Sequence, residues 1–326
     1  MAEKSSDKGP RPVFGAAVLL ARAPKLDAER VYDALREVVA LAGARVRMLD
    51  DGARRGILAG LRRSPAEYRF EIAGVRLTVS VSSKPLCNPT TLLGFVNPAL
   101  WRGGIGRLSD HRAHLLISED DSNGGSGTDA MFDRATAVTL ATAAVASIVE
   151  PEAVVWIPAR NAVPMGTFGR EMERFIDGQA PLEFWIRWQI LPAPVQADLD
   201  LGQMAAEPLQ PGVATLGLNG FIGHEIVGPP SHSSRETMLD QILALASGVI
   251  DENAQLTDGM IYREPASGQS LARLHMRQSG PYSDRPYWEL LPHPSLAPRP
   301  VATGDPDAKG RDASGAPRLR VISRNE

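Results

Sequence analysis

Residues 130–149 constrain the fold more than any other stretch. They read as one helix that is apolar nearly all the way round. A surface helix needs one apolar stripe, whereas a helix apolar on every side has to be covered on more than one. That requirement points to a layered fold in which this helix is sandwiched. Thr136, Thr139, Thr142 and Ser147 interrupt the run. It is therefore not read as a membrane span, which takes about 20 predominantly apolar residues.

The segments around this helix are dominated by strand signals. Residues 13–22 are apolar and read as a buried strand. Asp27 is placed to cap a helix on which Val31, Leu35, Val38 and Ala42 recur, with Gly43 where a terminating glycine belongs. Residues 45–49 suggest a short strand, and 50–64 a loop or short helix. Between 68 and 82 the period is two: Phe70 and Ile72 precede Gly74, and Val75, Leu77, Val79 and Val81 alternate with Arg76, Thr78, Ser80 and Ser82. This is a hairpin or one long half-buried strand. Residues 85–110 carry little periodicity and read as a connector.

Further strands are expected at 114–118, at 152–158 with Trp156, and at 183–191 with Trp185 and Trp188 on opposite sides. A short helix is expected over 166–176. Residues 213–227 read as a hairpin about Asn219-Gly220, a strong turn signal. Ser233-Ser234-Arg235-Glu236 is a capping box, opening a helix through Met238, Ile242, Leu245 and Val249. Residues 258–262 and 272–277 are candidate closing strands. Strand–helix–strand–strand order near the start recurs loosely from His111. The expected class is α+β: mixed or antiparallel sheets with helices on one face, in two ferredoxin-like modules.

The chain then divides into a polar lead at 1–12, a first module with its connector at 13–109, a second module at 110–290 and a disordered tail at 291–326. Residues 305–318 have almost no apolar surface to offset an ordering cost of about 1–2 kcal/mol per residue. A net charge of −3 argues against general nucleic-acid binding. Neither an export signal nor a membrane span is read, so no membrane partner is expected. Cys87 is the sole cysteine, which excludes an intrachain disulfide and a cysteine zinc cage and suggests a cytoplasmic protein. The strong excess of arginine over lysine suggests a bacterial source.

Chemistry-bearing motifs are sparse. His111 and His114 form the densest histidine cluster, but positions three apart on a strand point to opposite faces, and no third metal ligand lies nearby. Asp120, Asp121 and Asp129 lack the ligand order of an EF-hand loop. Gly103-Gly104-Ile105-Gly106 is too short for a dinucleotide fingerprint, and there is no phosphate-binding P-loop. Gly124-Gly125-Ser126-Gly127-Thr128 misses the nucleophile-elbow pattern by one residue. His224-Glu225 has no second histidine, and Cys87 has no nearby base. Neither a cofactor nor a metal is expected.

The segment Thr215-Leu216-Gly217-Leu218-Asn219-Gly220-Phe221-Ile222-Gly223-His224-Glu225-Ile226 resembles the signature of a bacterial family, domain of unknown function 4261. Weaker likenesses run from Leu19-Leu20 to Asp258-Gly259. The resemblance implies a bacterial, cytoplasmic α+β protein and brings no assigned activity. Thr215, Gly217, Phe221, Gly223 and Glu225 are the signature and candidate binding residues. With Asn219-Gly220 at a hairpin tip, Leu216, Leu218, Phe221 and Glu225 share one face. Glu225 is then expected to be partly buried against an arginine. The favoured function is a non-catalytic binding or interaction module for another protein, such as an adaptor or toxin-neutralising protein. The alternative is a hydrolase using His111, His114 and Glu225.

Overall fold

The computed structural model describes residues 13–49, 67–96, 101, 104–120, 122–124, 127–193, 209–251, 254–263 and 270–292. Expectations for 1–12, for 50–64, for most of 196–211 and for the tail after 292 lie outside the described residues. The chain is α+β, in two compact units, residues 1–187 and 188–326.

The first unit is a seven-stranded antiparallel sheet. Its strands are β1 (Gly15–Leu20), β2 (Val46–Met48), β3 (Glu67–Ile72), β4 (Val75–Ser82), β5 (Ala113–Glu119), β6 (Ala153–Trp156) and β7 (Asn161–Pro164), in the order β2-β3-β4-β5-β1-β6-β7. The segment 68–82 is a hairpin, turning through Ala73 at φ 48° and Gly74 at φ 88°. β5 pairs with both β1 and β4, so the boundary read at 109/110 falls inside this sheet.

Helix α1 (Ala28–Leu41) starts where Asp27 accepts the Arg30 amide at 2.7 Å and is followed by Gly43 at φ 69°. We expect Asp27→Ala to cost about 1 kcal/mol by losing this cap, measurable by chemical denaturation. Between β4 and β5 lie two short helices, α2 (Pro89–Leu93) and α3 (Gly104–Ser109). Helix α4 (Thr128–Ser147) is buried on nearly all sides and packs on β1, β4, β5 and α1, as its uniform apolarity requires.

The helices do not keep to one face. Ala17 and Leu19 of β1 pack with Leu92, Val96 and Leu108 of the supposed connector, which therefore covers the face away from α4. Ala16 lies beside Trp156, which joins Phe14, Phe184 and Trp185 in an aromatic cluster. The Trp185 indole N–H donates to Thr139 of α4 at 2.8 Å.

The strand expected at 183–191 is two elements. After α5 (Met165–Ile176) comes a helical turn, α6 (Leu182–Trp185), and only then β8 (Arg187–Leu191). The turn is closed by the amides of Trp185 and Ile186 donating to the carbonyls of Pro181 and Leu182, and Glu171 of α5 caps it, its carboxylate accepting the Glu183 amide at 3.0 Å and Arg174 at 3.1 Å. Burial, with the charge of Glu183, pushes the Glu171 carboxyl above the ordinary range.

The second unit holds a six-stranded mixed sheet. β9 (Gly212–Leu216), β10 (Glu225–Gly228), β11 (Ile261–Arg263), β12 (Ser270–Arg277) and β13 (Tyr287–Pro292) join β8 in the order β11-β12-β13-β10-β9-β8. β10 and β13 run parallel and the other mapped pairs antiparallel. Helix α8 (Arg235–Asp251) is capped by Ser234 and not by Ser233: the Ser234 hydroxyl accepts the Thr237 amide at 3.1 Å. It is the one long helix among the described residues of this unit. With the parallel pair, that departs from a ferredoxin-like plan.

Candidate functional site

The signature is not a hairpin about Asn219-Gly220. Residues Asn219–Ile222 form a helical turn, α7, between β9 and β10, and those strands pair lower down, at Val227–Ala214 and Gly228–Val213. Gly217 at φ 105° leads the chain into the turn. Gly223 at φ 79° ends it in the left-handed conformation that suits glycine. Phe221 is buried, anchoring the turn from below.

Glu225 organises this loop. Its Oε1 accepts the amides of Gly217 at 2.8 Å and Asn219 at 3.3 Å. Its Oε2 accepts the Thr215 hydroxyl at 2.6 Å and the Leu218 amide at 3.2 Å. Thr215 is buried and in turn accepts the Ile226 amide at 2.8 Å. Burial pushes the Glu225 carboxyl above the ordinary range, against the pull of Thr215 and the three amides. The expected arginine partner is replaced by backbone, because three successive N–H groups converge where the turn begins, a natural anion cradle. The side chain of the chain's own Glu225 fills that cradle.

The buried arginine–carboxylate pair lies elsewhere. Arg134 of α4 donates to both oxygens of Glu119 at 2.5 Å, and the Phe14 amide donates to Glu119 as well. The Arg134 guanidinium also lies over the Phe14 ring, 5.5 Å from its centroid.

Both candidate histidines are engaged by main chain. His111 is buried. Its Nδ1 bonds the Leu108 carbonyl at 2.6 Å and its Nε2 accepts the Leu86 amide at 3.1 Å, which places the proton on Nδ1. His114 Nδ1 bonds the Lys84 carbonyl at 2.8 Å, and burial pulls this imidazole below its ordinary value. Together they fasten both ends of the 85–110 segment to the sheet. They lie in the first unit and Glu225 in the second, so the structure does not assemble the three as one hydrogen-bonded set. Cys87 packs at the edge of the cluster around Leu92, and burial pushes its thiol up. Among the described residues, no three His, Cys, Asp or Glu side chains are grouped to hold a metal ion.

Asp258-Gly259 also has a local role. Asp258 accepts the Met276 amide at 2.9 Å, and Gly259 at φ 77° bonds the Leu274 carbonyl. Glu289 of β13 is buried and accepts Arg277 at 2.6 Å, a polar pair on the sheet that no sequence motif announced.

Concave surface is found in the first unit. A cleft of about 680 Å³ opens between residues 21–26 and the end of α4. Leu26 and Ile148 line it, with Arg22 and Lys25 on the loop and Glu150 and Glu152 after α4. A second cleft of about 650 Å³, along α1, shares Arg30 and Ile148 with it.

Fold and site together define an α+β protein of two sheet-based units with a carboxylate-locked signature turn. No family model, curated protein or solved structure matches the chain.

Proposed function

We propose that the chain is a non-catalytic binding module in the cytoplasm and that its partner is another protein. A single observation carries this reading: the first-unit cleft sets basic and acidic side chains around an apolar lining. An extended polypeptide segment of mixed charge fits such a cleft, with apolar side chains on Leu26 and Ile148 and opposite charges on the loop and beyond α4. The likeness to domain of unknown function 4261 belongs to the same reading, in which the signature is scaffold. Against the hydrolase alternative, both ring nitrogens of His111 and both carboxylate oxygens of Glu225 are engaged by their own neighbours, and His114 is bonded through Nδ1 to the Lys84 carbonyl.

A photo-crosslinking residue at the exposed Ala23 tests this. One protein is expected to be captured from the native cell, and the double charge reversal R22E/K25E is expected to abolish the capture. Capture that is indifferent to the reversal would overturn the reading. So would hydrolytic turnover by the purified chain that falls on His114→Ala.

A further inference from the structure

Helix α1 carries two stripes side by side. Glu29, Asp33 and Glu37 recur at four-residue spacing, and all three are exposed. At about 100° per residue, Ala34, Val38 and Leu41 fall beside them around the helix. Leu41 is 62% exposed, the most of any large apolar side chain among the described residues. These six side chains and Ile148 line the groove of about 650 Å³ along α1. Arg30, the basic residue in this lining, donates to the Ile148 carbonyl at 2.9 Å. Arg36 lies 3.7 Å from Asp33 with the two side chains 65% and 64% exposed, and a surface pair of that kind holds weakly. The groove is acidic along one edge and apolar along the other.

This chain contains a segment of matching pattern. Residues 318–324 read Arg-Leu-Arg-Val-Ile-Ser-Arg. Extended backbone repeats every two residues, about 6.6 Å, and carboxylates four residues apart on a helix are separated by about 6 Å along its axis. In an extended strand Arg318 and Arg320 point to one side, and Leu319 and Val321 to the other. Laid along α1, such a strand sets the two arginines against neighbouring carboxylates and the two aliphatic side chains against Val38 and Leu41.

We propose that the α1 groove is the docking site of this chain's own residues 318–324. Length permits it. Residues 293–317 span up to about 80 Å when drawn out, against a width of roughly 40 Å for a globular unit the size of residues 1–187. Opposite charges guide and orient the segment, and the aliphatic contacts hold it. The groove shares Arg30 and Ile148 with the peptide cleft, but Arg22 and Lys25 of that cleft take no part.

Fluorescence anisotropy of a labelled synthetic peptide, residues 317–324, titrated with forms of the full chain tests this. R318E/R320E disables the chain's own segment, and this form is expected to bind the peptide saturably and to release it as salt is raised. The wild type is expected to bind the peptide at least about fivefold more weakly, because its tethered segment competes at high effective concentration. Adding D33N/E37Q to R318E/R320E is expected to weaken binding at least about tenfold. Both positions are exposed, and an unchanged thermal melt shows that the fold is kept. Absence of saturable binding to R318E/R320E, or binding indifferent to D33N/E37Q, would overturn the proposal. So would equal binding by the wild type and R318E/R320E, which would leave the groove to a basic segment of another protein.

Discussion

Glu119→Gln is expected to destabilise the first unit by about 3–5 kcal/mol, the usual cost of leaving one member of a buried ion pair uncompensated. The side chains of Glu119 and Arg134 are only 1% and 6% exposed, so water cannot take over the lost interaction. Glutamine keeps the shape, but it removes the charge and turns an N–H₂ group toward a cluster of donors: Arg134 Nε, Arg134 Nη2 and the Phe14 amide. The pair ties the start of β1, the end of β5 and α4 together. Replacing Glu119 and Arg134 by leucine together is expected to recover most of the loss, since apolar groups of similar volume avoid the desolvation penalty. Urea denaturation of the two variants and the wild type measures both effects. A loss below about 1 kcal/mol for Glu119→Gln would contradict the buried geometry.

Elements with a local cause were readable in the sequence. Asp27, the apolar spacing through α1, and Gly43 lie within one stretch, as does the period-two pattern around Ala73-Gly74. Elements decided by distant residues were not. Leu182–Trp185 is a short apolar run consistent with strand or helix. Its helical turn is capped by Glu171 on the preceding helix, a partner twelve residues away from Glu183. Leu92, Val96 and Leu108 lie in a Gly- and Pro-rich segment without periodicity, and only the small Ala17 beside Leu19 shows where they pack. At Asn219-Gly220 a local turn preference was overridden by a carboxylate further along the chain.

Removing the Glu225 carboxylate should loosen the signature turn. In Glu225→Ala, the Thr215 hydroxyl and the amides of Gly217, Leu218 and Asn219 lose a shared acceptor. At about 1–3 kcal/mol for a buried donor left unmatched, and with solvent reaching part of the loop, a loss of about 2–3 kcal/mol is expected. The pH dependence has a definite sign. Burial raises the folded-state value of Glu225 above that of the unfolded chain, so the folded protein holds this proton more tightly. Its contribution to stability is therefore complete below the ordinary glutamate value of about 4.3, and it is lost as pH rises through the raised folded value. The Glu225→Gln variant has no titration at this position. The stability of the wild type relative to Glu225→Gln should accordingly be greatest in acid, decline as pH rises above the ordinary glutamate range, and then level off. Paired thermal melts across that range measure the difference directly. A gap that widens with rising pH would mean that the four donors outweigh burial and that the cradle prefers the charged carboxylate.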